Sequence, residues 1–474
     1  MIPEISLLSP SDLKKIHNAS LEILDTVGIR IDNKDAVDIF RSAGAIIDDD
    51  NVVKIDSSII QNTLDHCLPR CSLYHRQTGK EMVLGDSVIK HSVVGWMSDI
   101  LDWKTGEHRK AVLDDLAETV KICDALDEIS WFMSPLVCSD VPVSGQELYQ
   151  FKVAVEHSNK PLILSVSDAD TLKKIVDLAA MISGSEDALE EKPTFAVALG
   201  LMSPLLITSD LCEVAMSCAQ SGVPVFLYTS SMAGVTSPVT LSGTLAGNHA
   251  EMLAAIALIK SVNPKAPIIY NSYSKPFDMK STDASSGSPE FGLIMAGITQ
   301  LGKYINLPTG TGMFMTNSSS FDIQAGLEKM GGSILPLMSG ADFSSGMGLL
   351  GKGAVHSIEA LVSDAETASY LRRMVLGVGC SPEQLAVNVY QDVKPLGNFL
   401  TTKHTMDHFR KELWDPKVTC RKSFSSWVQG GKNVSMKIKI HKYIETQLDR
   451  HQSPDIPDLF YQAFDRMVGG RSSG

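Results

Sequence analysis

The chain has 474 residues, 44% hydrophobic and 20% charged, with 42 Lys and Arg against 55 Asp and Glu and a formal net charge of -13. That composition suits one large α/β barrel or two globular domains. The acidic balance sets aside nucleic acid and anionic membrane surfaces as broad partners. Eight cysteines, at 67, 71, 123, 138, 212, 218, 380 and 420, include no CxxC pair, so a reduced, mostly buried set in a cytosolic protein is expected. Cys67 and Cys71, flanked by His66 and His75, come nearest to a metal cluster, yet their spacing matches no standard zinc pattern; no bound metal is expected. The opening MIPEISLLSPSDLKK has no basic n-region or apolar h-region, and no apolar run reaches the ~18 residues of a membrane span. A cytoplasmic location is the expectation.

Residues 1–90 read as a helical extension. Ser9–Ile29 starts on capping residues, places Leu13, Ile16, Ile23, Leu24 and Val27 at helical spacing, and stops at Gly28. KDAVDIFRSAGA is a second helix ending at Gly44, and VVKIDSSIIQNTLDHC gives a short strand and a helix entered through Asp56 or Ser57. Strands around Lys104-Thr105-Gly106 form a turn-linked pair.

From about residue 110, helical segments alternate with short apolar runs: ISWFMSPLV, PLILSVS, TFAVALGLMSP, VPVFLYTSS, APIIYNSYS, LPTGTGMFM and ILPLMSGADF. Runs that are apolar without alternation suit strands covered on both faces, and their alternation with helices is the βα signature. Seven units are clear; SVVGWM or a segment after Cys380 supplies an eighth. The reading is a (β/α)8 TIM barrel over 91–395, with the helical extension 1–90 before it. A segment at 396–474 packs outside the barrel and ends in the disordered tail VGGRSSG. An open doubly wound sheet is the alternative. GMGLLGKG contains one GxGxxG, at Gly346, Gly348 and Gly351, but it follows the last clear strand instead of opening a βαβ unit. Its backbone N–H groups offer an anion site at a helix entrance.

Chemistry in such a barrel sits at the carboxyl ends of the strands. These ends carry small hydroxyls, amides, Met and aromatic rings, with Asp342 and Lys275 as the charged exceptions. That leaves little for acid–base, metal or Schiff-base chemistry; Lys275 alone could serve the last. It fits a compact cation held by cation–π attraction. Trp96, Phe132, Tyr228, Tyr273, Phe314 and Phe343 are the candidate rings.

SLEILDTVGIRI, DILDWKTGEHRKAVLDDLAETVKICDALDEI, SPVTLSGTLAGNHAE, GSPEFGLI and GNFLTTKHTMDHFRKELWDP resemble the trimethylamine methyltransferase family, over about residues 5 to 430. The resemblance implies a barrel enzyme that moves a methyl group from a methylated amine to the cobalt of a separate corrinoid protein. Founding members carry pyrrolysine in the loop matching Met315–Ser320, where this chain has MTNSSS. It thus resembles the pyrrolysine-lacking branch, several of whose members resemble betaine demethylases, and a quaternary amine is the expected substrate. Glycine betaine, releasing dimethylglycine, is the lead substrate. Proline betaine, carnitine, γ-butyrobetaine and trimethylamine are alternatives, as is a betaine-binding protein without chemistry. The expected substrate contacts are Trp96, Tyr228, Phe314, Asn317, Ser318, Asp342, Phe343 and His356. His249, Lys275, Thr316, Ser319 and the glycine-loop amides are further options for a carboxylate, and Ser318–Ser320 double as caps for a helix near Phe321. A homo-oligomer is expected.

Overall fold

A computed structural model describes residues 5–430 and 435–469. Eight short parallel strands alternate with eight long helices: β1 (Lys90–Val93), α1 (Leu113–Ala125), β2 (Phe132–Met133), α2 (Gln146–His157), β3 (Leu162–Ser165), α3 (Ala169–Ser183), β4 (Phe195–Gly200), α4 (Ser209–Gln220), β5 (Val225–Thr229), α5 (Leu241–Val262), β6 (Ile268–Ser272), α6 (Pro289–Tyr304), β7 (Gly310–Gly312), α7 (Ile323–Met338), β8 (Phe343–Met347) and α8 (Ile358–Val375). Strands β2 to β6 form one parallel sheet, and β7, β8 and β1 form a second. Isolated parallel bridges join them into a ring: Tyr270 to Thr309 between β6 and β7, and His91 to Ile129 and Met97 to Leu136 between the β1 and β2 segments. The result is the (β/α)8 barrel that the apolar runs imply.

The strands are apolar on both faces because both faces are covered. Phe226, Trp131 and Phe343 fill the interior, with Phe343 5.2 Å from Trp131 and 5.3 Å from Phe226. All three are fully buried. Gly310 makes room for the Phe343 ring, which a Cβ at that position would meet at 2.1 Å. Outside, α5 is enclosed on nearly every side through its middle, where Asn248, His249 and Glu251 are buried among apolar residues. The extension helices Pro10–Glu22 and Ser57–Leu64 pack on it. His17 Nδ1 lies 3.0 Å from His249 Nε2, and His249 Nδ1 lies 3.0 Å from the Tyr270 hydroxyl, a buried chain linking extension, α5 and β6.

Two readings are corrected here. The eighth strand is Lys90–Val93, largely ahead of SVVGWM. The run ILPLMSGADF is not a strand: Ile334–Met338 close α7, and the strand starts only at Phe343. Polar FSSGM makes a strand because its residues are fully enclosed, and enclosure, not hydropathy, decides there. Most of the VGGRSSG tail, residues 470–474, lies outside the described residues. Among the described residues no helix is long and apolar enough to cross a membrane.

Candidate active site

At the carboxyl ends of β3, β4 and β5 a cavity of about 340 Å³ opens to solvent. Its walls include Trp96, Ser165, Ser167, Gly200, Thr208 and Tyr228, together with Glu147 and Asp210. Trp96 is 48% exposed, unusual for so large a ring in a position of no packing value. Its indole N–H donates to Ser165 Oγ at 3.1 Å, which fixes the ring at the rim. Tyr228 reaches the same cavity from β5. Its ring meets Tyr273 edge-on at 5.4 Å, and burial pushes its hydroxyl pKa upward. The ring lies across Gly200, where a Cβ would stand 2.6 Å from the Tyr228 hydroxyl. Glycine is required there for the close approach.

Glu147 and Asp210 sit in the first turns of α2 and α4, where a negative charge complements the helix dipole. Neither forms an ion pair or a side-chain hydrogen bond among the described residues. The cavity wall therefore carries two carboxylates and no cationic side chain. Behind Tyr228 and paired with it in register lies Asn271. It is fully buried, and its side-chain amide has no hydrogen-bond partner among the described residues. Lys275, just past β6, forms no ion pair among the described residues, and burial lowers its pKa.

The loop after β7 is built differently. Phe314 has φ 56°, a left-handed conformation rare for a bulky residue. Its N–H donates to Ser333 Oγ at 3.0 Å. Glu328 accepts from Thr316 Oγ1 at 2.6 Å and from Asn317 N at 2.8 Å. Asn317 Oδ1 accepts from Gly287 N at 2.8 Å, and its Nδ2 donates to Ala284 O at 3.2 Å. Ser318 Oγ donates to Ser320 O at 3.1 Å. The helix cap is Asp322, which accepts from Ala325 N, so Ser318–Ser320 do not cap it.

The glycine loop is spent in the same way. Gly348 N donates to Asp364 at 2.8 Å, Gly351 N to Ser318 O at 2.6 Å and Lys352 N to Thr316 O at 2.8 Å. Asp364 also holds Lys329 at 2.6 Å in a fully enclosed ion pair. Those three amides are therefore not free for an anion, as the sequence had offered.

Of the sequence candidates, Trp96 and Tyr228 meet in the cavity. Asn317 and Ser318 brace the β7 loop. Phe343 fills the barrel core, and Phe314 packs against His91 at 5.7 Å on the wall of the barrel. Asp342 precedes β8, at the amino end, where it pairs with Lys303 and accepts from Thr309 N. The misplaced strand is the reason: a boundary set at Phe343 as an end turns a beginning into a mouth. His356 is 1% exposed. Its Nε2 is 3.2 Å from Thr119 Oγ1, burial pushes its pKa down to about 3, and it faces a separate 270 Å³ cavity beside Trp103. Glu147 and Asp210 went unread because they come from helix starts, not strand ends. A signal existed in their place directly after the strand-to-helix turns.

The family model for trimethylamine methyltransferase (MTTB) matches residues 1–473. A trimethylamine methyltransferase MttB of Desulfitobacterium hafniense is 31% identical over 424 residues, 89% of this chain and 85% of that protein. A glycine betaine methyltransferase of Desulfitobacterium hafniense is 27% identical over 90% of both. The crystal structure of the Methanosarcina barkeri monomethylamine methyltransferase (MtmB) superposes with a TM-score of 0.52 at 14% identity, over 97% of this chain and 86% of that one. A hydroxylamine complex of MtmB gives 0.57 at 15% identity, over 93% and 88%. The match across the whole length, on a barrel of the same architecture, places this chain in the trimethylamine methyltransferase family and makes it a methyltransferase.

Proposed function

We propose that the chain takes a methyl group from a quaternary amine at the Trp96–Tyr228 cavity and delivers it to the corrinoid of a separate protein in the cytoplasm. Glycine betaine is the lead substrate, and dimethylglycine the product. The observation that carries the reading is the cavity itself: two aromatic rings and two unpaired carboxylates around one opening at the chemically competent end of the barrel. An onium nitrogen cannot donate a hydrogen bond, so rings and carboxylates are the groups that recognise it.

The corrinoid, presented by its carrier at the mouth, supplies the nucleophile that accepts the methyl group. The chain's own residues orient and shield. Trp96, pinned by Ser165, and Tyr228, seated on Gly200, hold the ammonium head at the opening, which leaves a methyl group accessible from outside. Asn271, fully buried behind Tyr228, and Lys275 lie outside the wall of this cavity, so the ammonium head carries the recognition. Positive charge on nitrogen fades as the C–N bond breaks, so a modest cage is better than a strong one. Positioning contributes most of the acceleration in a displacement that needs no proton transfer.

A second reading is the same transfer from an ammonium without a carboxylate, trimethylamine included. Glu147 and Asp210 favour it, because they repel a carboxylate held close to the onium head. One panel separates the two: glycine betaine, proline betaine, carnitine, γ-butyrobetaine and trimethylamine, each added with Co(I) cobalamin and followed by absorbance, with tryptophan fluorescence as a binding readout. Turnover of betaine and not trimethylamine supports the lead. Turnover of trimethylamine alone supports the second reading. Binding without any transfer reduces the protein to a betaine-binding module.

A further inference from the structure

Helix α5 carries three polar side chains along one face near its mouth end. Thr244, Asn248 and Glu251 stand four and three residues apart, a spacing that stacks them on one side of a helix. None is more than 3% exposed. Packing needs none of them in a helix otherwise rich in Ala, Leu and Ile, and burying them is costly unless each finds a partner. Each does, and the partners lie at the carboxyl ends of three neighbouring strands.

Glu251 accepts from Ser203 Oγ at 2.7 Å and from Leu205 N at 2.9 Å, in the turn after β4. Asn248 Nδ2 donates to Ser231 Oγ at 2.9 Å, after β5, and its Oδ1 accepts from Ser274 Oγ at 2.8 Å, after β6. Thr244 Oγ1 donates to Pro238 O at 2.7 Å, further along the connection from β5. Hydroxyls extend the pattern across the strands: Thr229 donates to Ser272 and Ser272 to Ser274, both at 2.9 Å. The segment SPVTLSGTLAGNHAE, Ser237 to Glu251, places its polar side chains here.

The same three connections build the cavity wall. Thr208 and Asp210, both on that wall, follow the turn that Glu251 holds. Tyr228 lies three residues before Ser231. Tyr273, which meets its ring edge-on at 5.4 Å, immediately precedes Ser274. Leu205 has φ 53°, a left-handed conformation that a bulky residue keeps only when its surroundings impose it. The bond from its N–H to Glu251 is part of that constraint.

We propose that Thr244, Asn248 and Glu251 are positioning residues for methyl transfer, which lock the ends of β4, β5 and β6 together so that Asp210 and Tyr228 face one onium group. The ligand in this statement rests on the proposed function; the stripe itself does not. Directional bonds in a buried network fix a geometry that apolar packing leaves looser, and a binding site displaced by a fraction of an ångström loses grip. Glu251 is the principal member, because both its oxygens are committed to the turn ahead of Thr208 and Asp210.

The test compares Glu251→Ala, Glu251→Gln and Asp364→Ala in the full chain, each where circular dichroism shows it fully folded. Hydrogen–deuterium exchange reads the wall without a ligand. Titrations with tetramethylammonium and with glycine betaine, followed by tryptophan fluorescence, read the site. Glu251→Ala should speed exchange across residues 201–211 by about tenfold or more and weaken binding by at least about threefold. Glu251→Gln should restore both, since its amide oxygen accepts from Leu205 N while its amide nitrogen donates to Ser203 Oγ. Asp364→Ala, which breaks a buried pair on the β8 side, should change neither. If Glu251→Ala does not fold, Ser203→Ala takes its place, with a smaller change in the same segment. Wild-type exchange at 201–211 in the Ala variants overturns the proposal, and so does an equal rise in Asp364→Ala or a Gln variant as loose as the Ala one. A wild type that binds either probe while the Ala variants bind it equally well overturns the proposal alone. A wild type that binds neither overturns the functional reading, and the proposal with it.

Discussion

On the β3–β5 side of the mouth, Trp96, Tyr228, Glu147 and Asp210 surround open space and leave charge and ring faces unused. On the β7–β8 side, Thr316, Asn317, Ser318 and the glycine loop turn their polar groups inward on Glu328, Gly287, Asp364 and each other. Both sides are rich in hydroxyls and glycines, and the same residue types do opposite things. Where each donor finds an internal acceptor the loop is scaffold; where aromatic and carboxylate groups end without partners the surface is available for a ligand. Hydrogen-bond accounting separates the two more reliably than residue type.

That contrast breaks first at the buried pair. Asp364→Ala should strip Lys329 of its partner and Gly348 of its acceptor, with a loss of roughly 3–5 kcal/mol of stability in urea unfolding. An unchanged midpoint would mean the β8 loop is held by other contacts. Glu328→Ala should cost about 1.5–3 kcal/mol by leaving Thr316 and Asn317 without their acceptor, again in stability and not in substrate affinity at equal folded fraction.

On the open side the readout shifts to affinity. Tyr228→Ala should lower the unfolding midpoint, because the ring packs on Tyr273, and at equal folded fraction should weaken quaternary-amine binding by about 0.5–2 kcal/mol in a calorimetric titration. Gly200→Ala should do the same more mildly by displacing the ring. Equal binding in both variants would remove Tyr228 from the site.

A pH dependence lies beneath the β4 loop. Burial raises the Glu251 pKa to about 7, although Ser203 Oγ and Leu205 N donate to it at 2.7 and 2.9 Å. Its folded-state value lies above its unfolded one, so the folded protein holds more protons between about 4.5 and 7, and this contribution to stability is lost as pH rises through about 7. Melting curves of wild type and Glu251→Gln should diverge across that window. Parallel curves would show that the carboxylate stays ionised in the fold.

The barrel was legible because its signal is repeated: seven apolar runs alternating with helices leave few topologies. The failures cluster where a strand is polar. FSSGM has no hydropathy to mark it, and the apolar ILPLM beside it is the end of a helix, so one boundary shifted by several residues moved Asp342 and Phe343 to the wrong end. Trp96 and Tyr228, read as rings following strands, do line the cavity at the strand ends. Phe314 obeyed the same rule and broke it, because its left-handed backbone turns the ring toward His91, and no residue-level pattern announces that turn.

The isolated bridges that close the barrel have a mechanical consequence. Five strands, β2 to β6, are stitched continuously, as are β7, β8 and β1, but the two sets share few ladder hydrogen bonds, at Tyr270–Thr309 on one side and at His91–Ile129 and Met97–Leu136 on the other. Amide protons along these two lines should trade with deuterium sooner than those within either set. Ser165, Gly200 and Tyr228 belong to the five-strand set, whereas Trp96 follows β1 in the other set, so breathing along the β1–β2 line can change the width of the opening between the two rings.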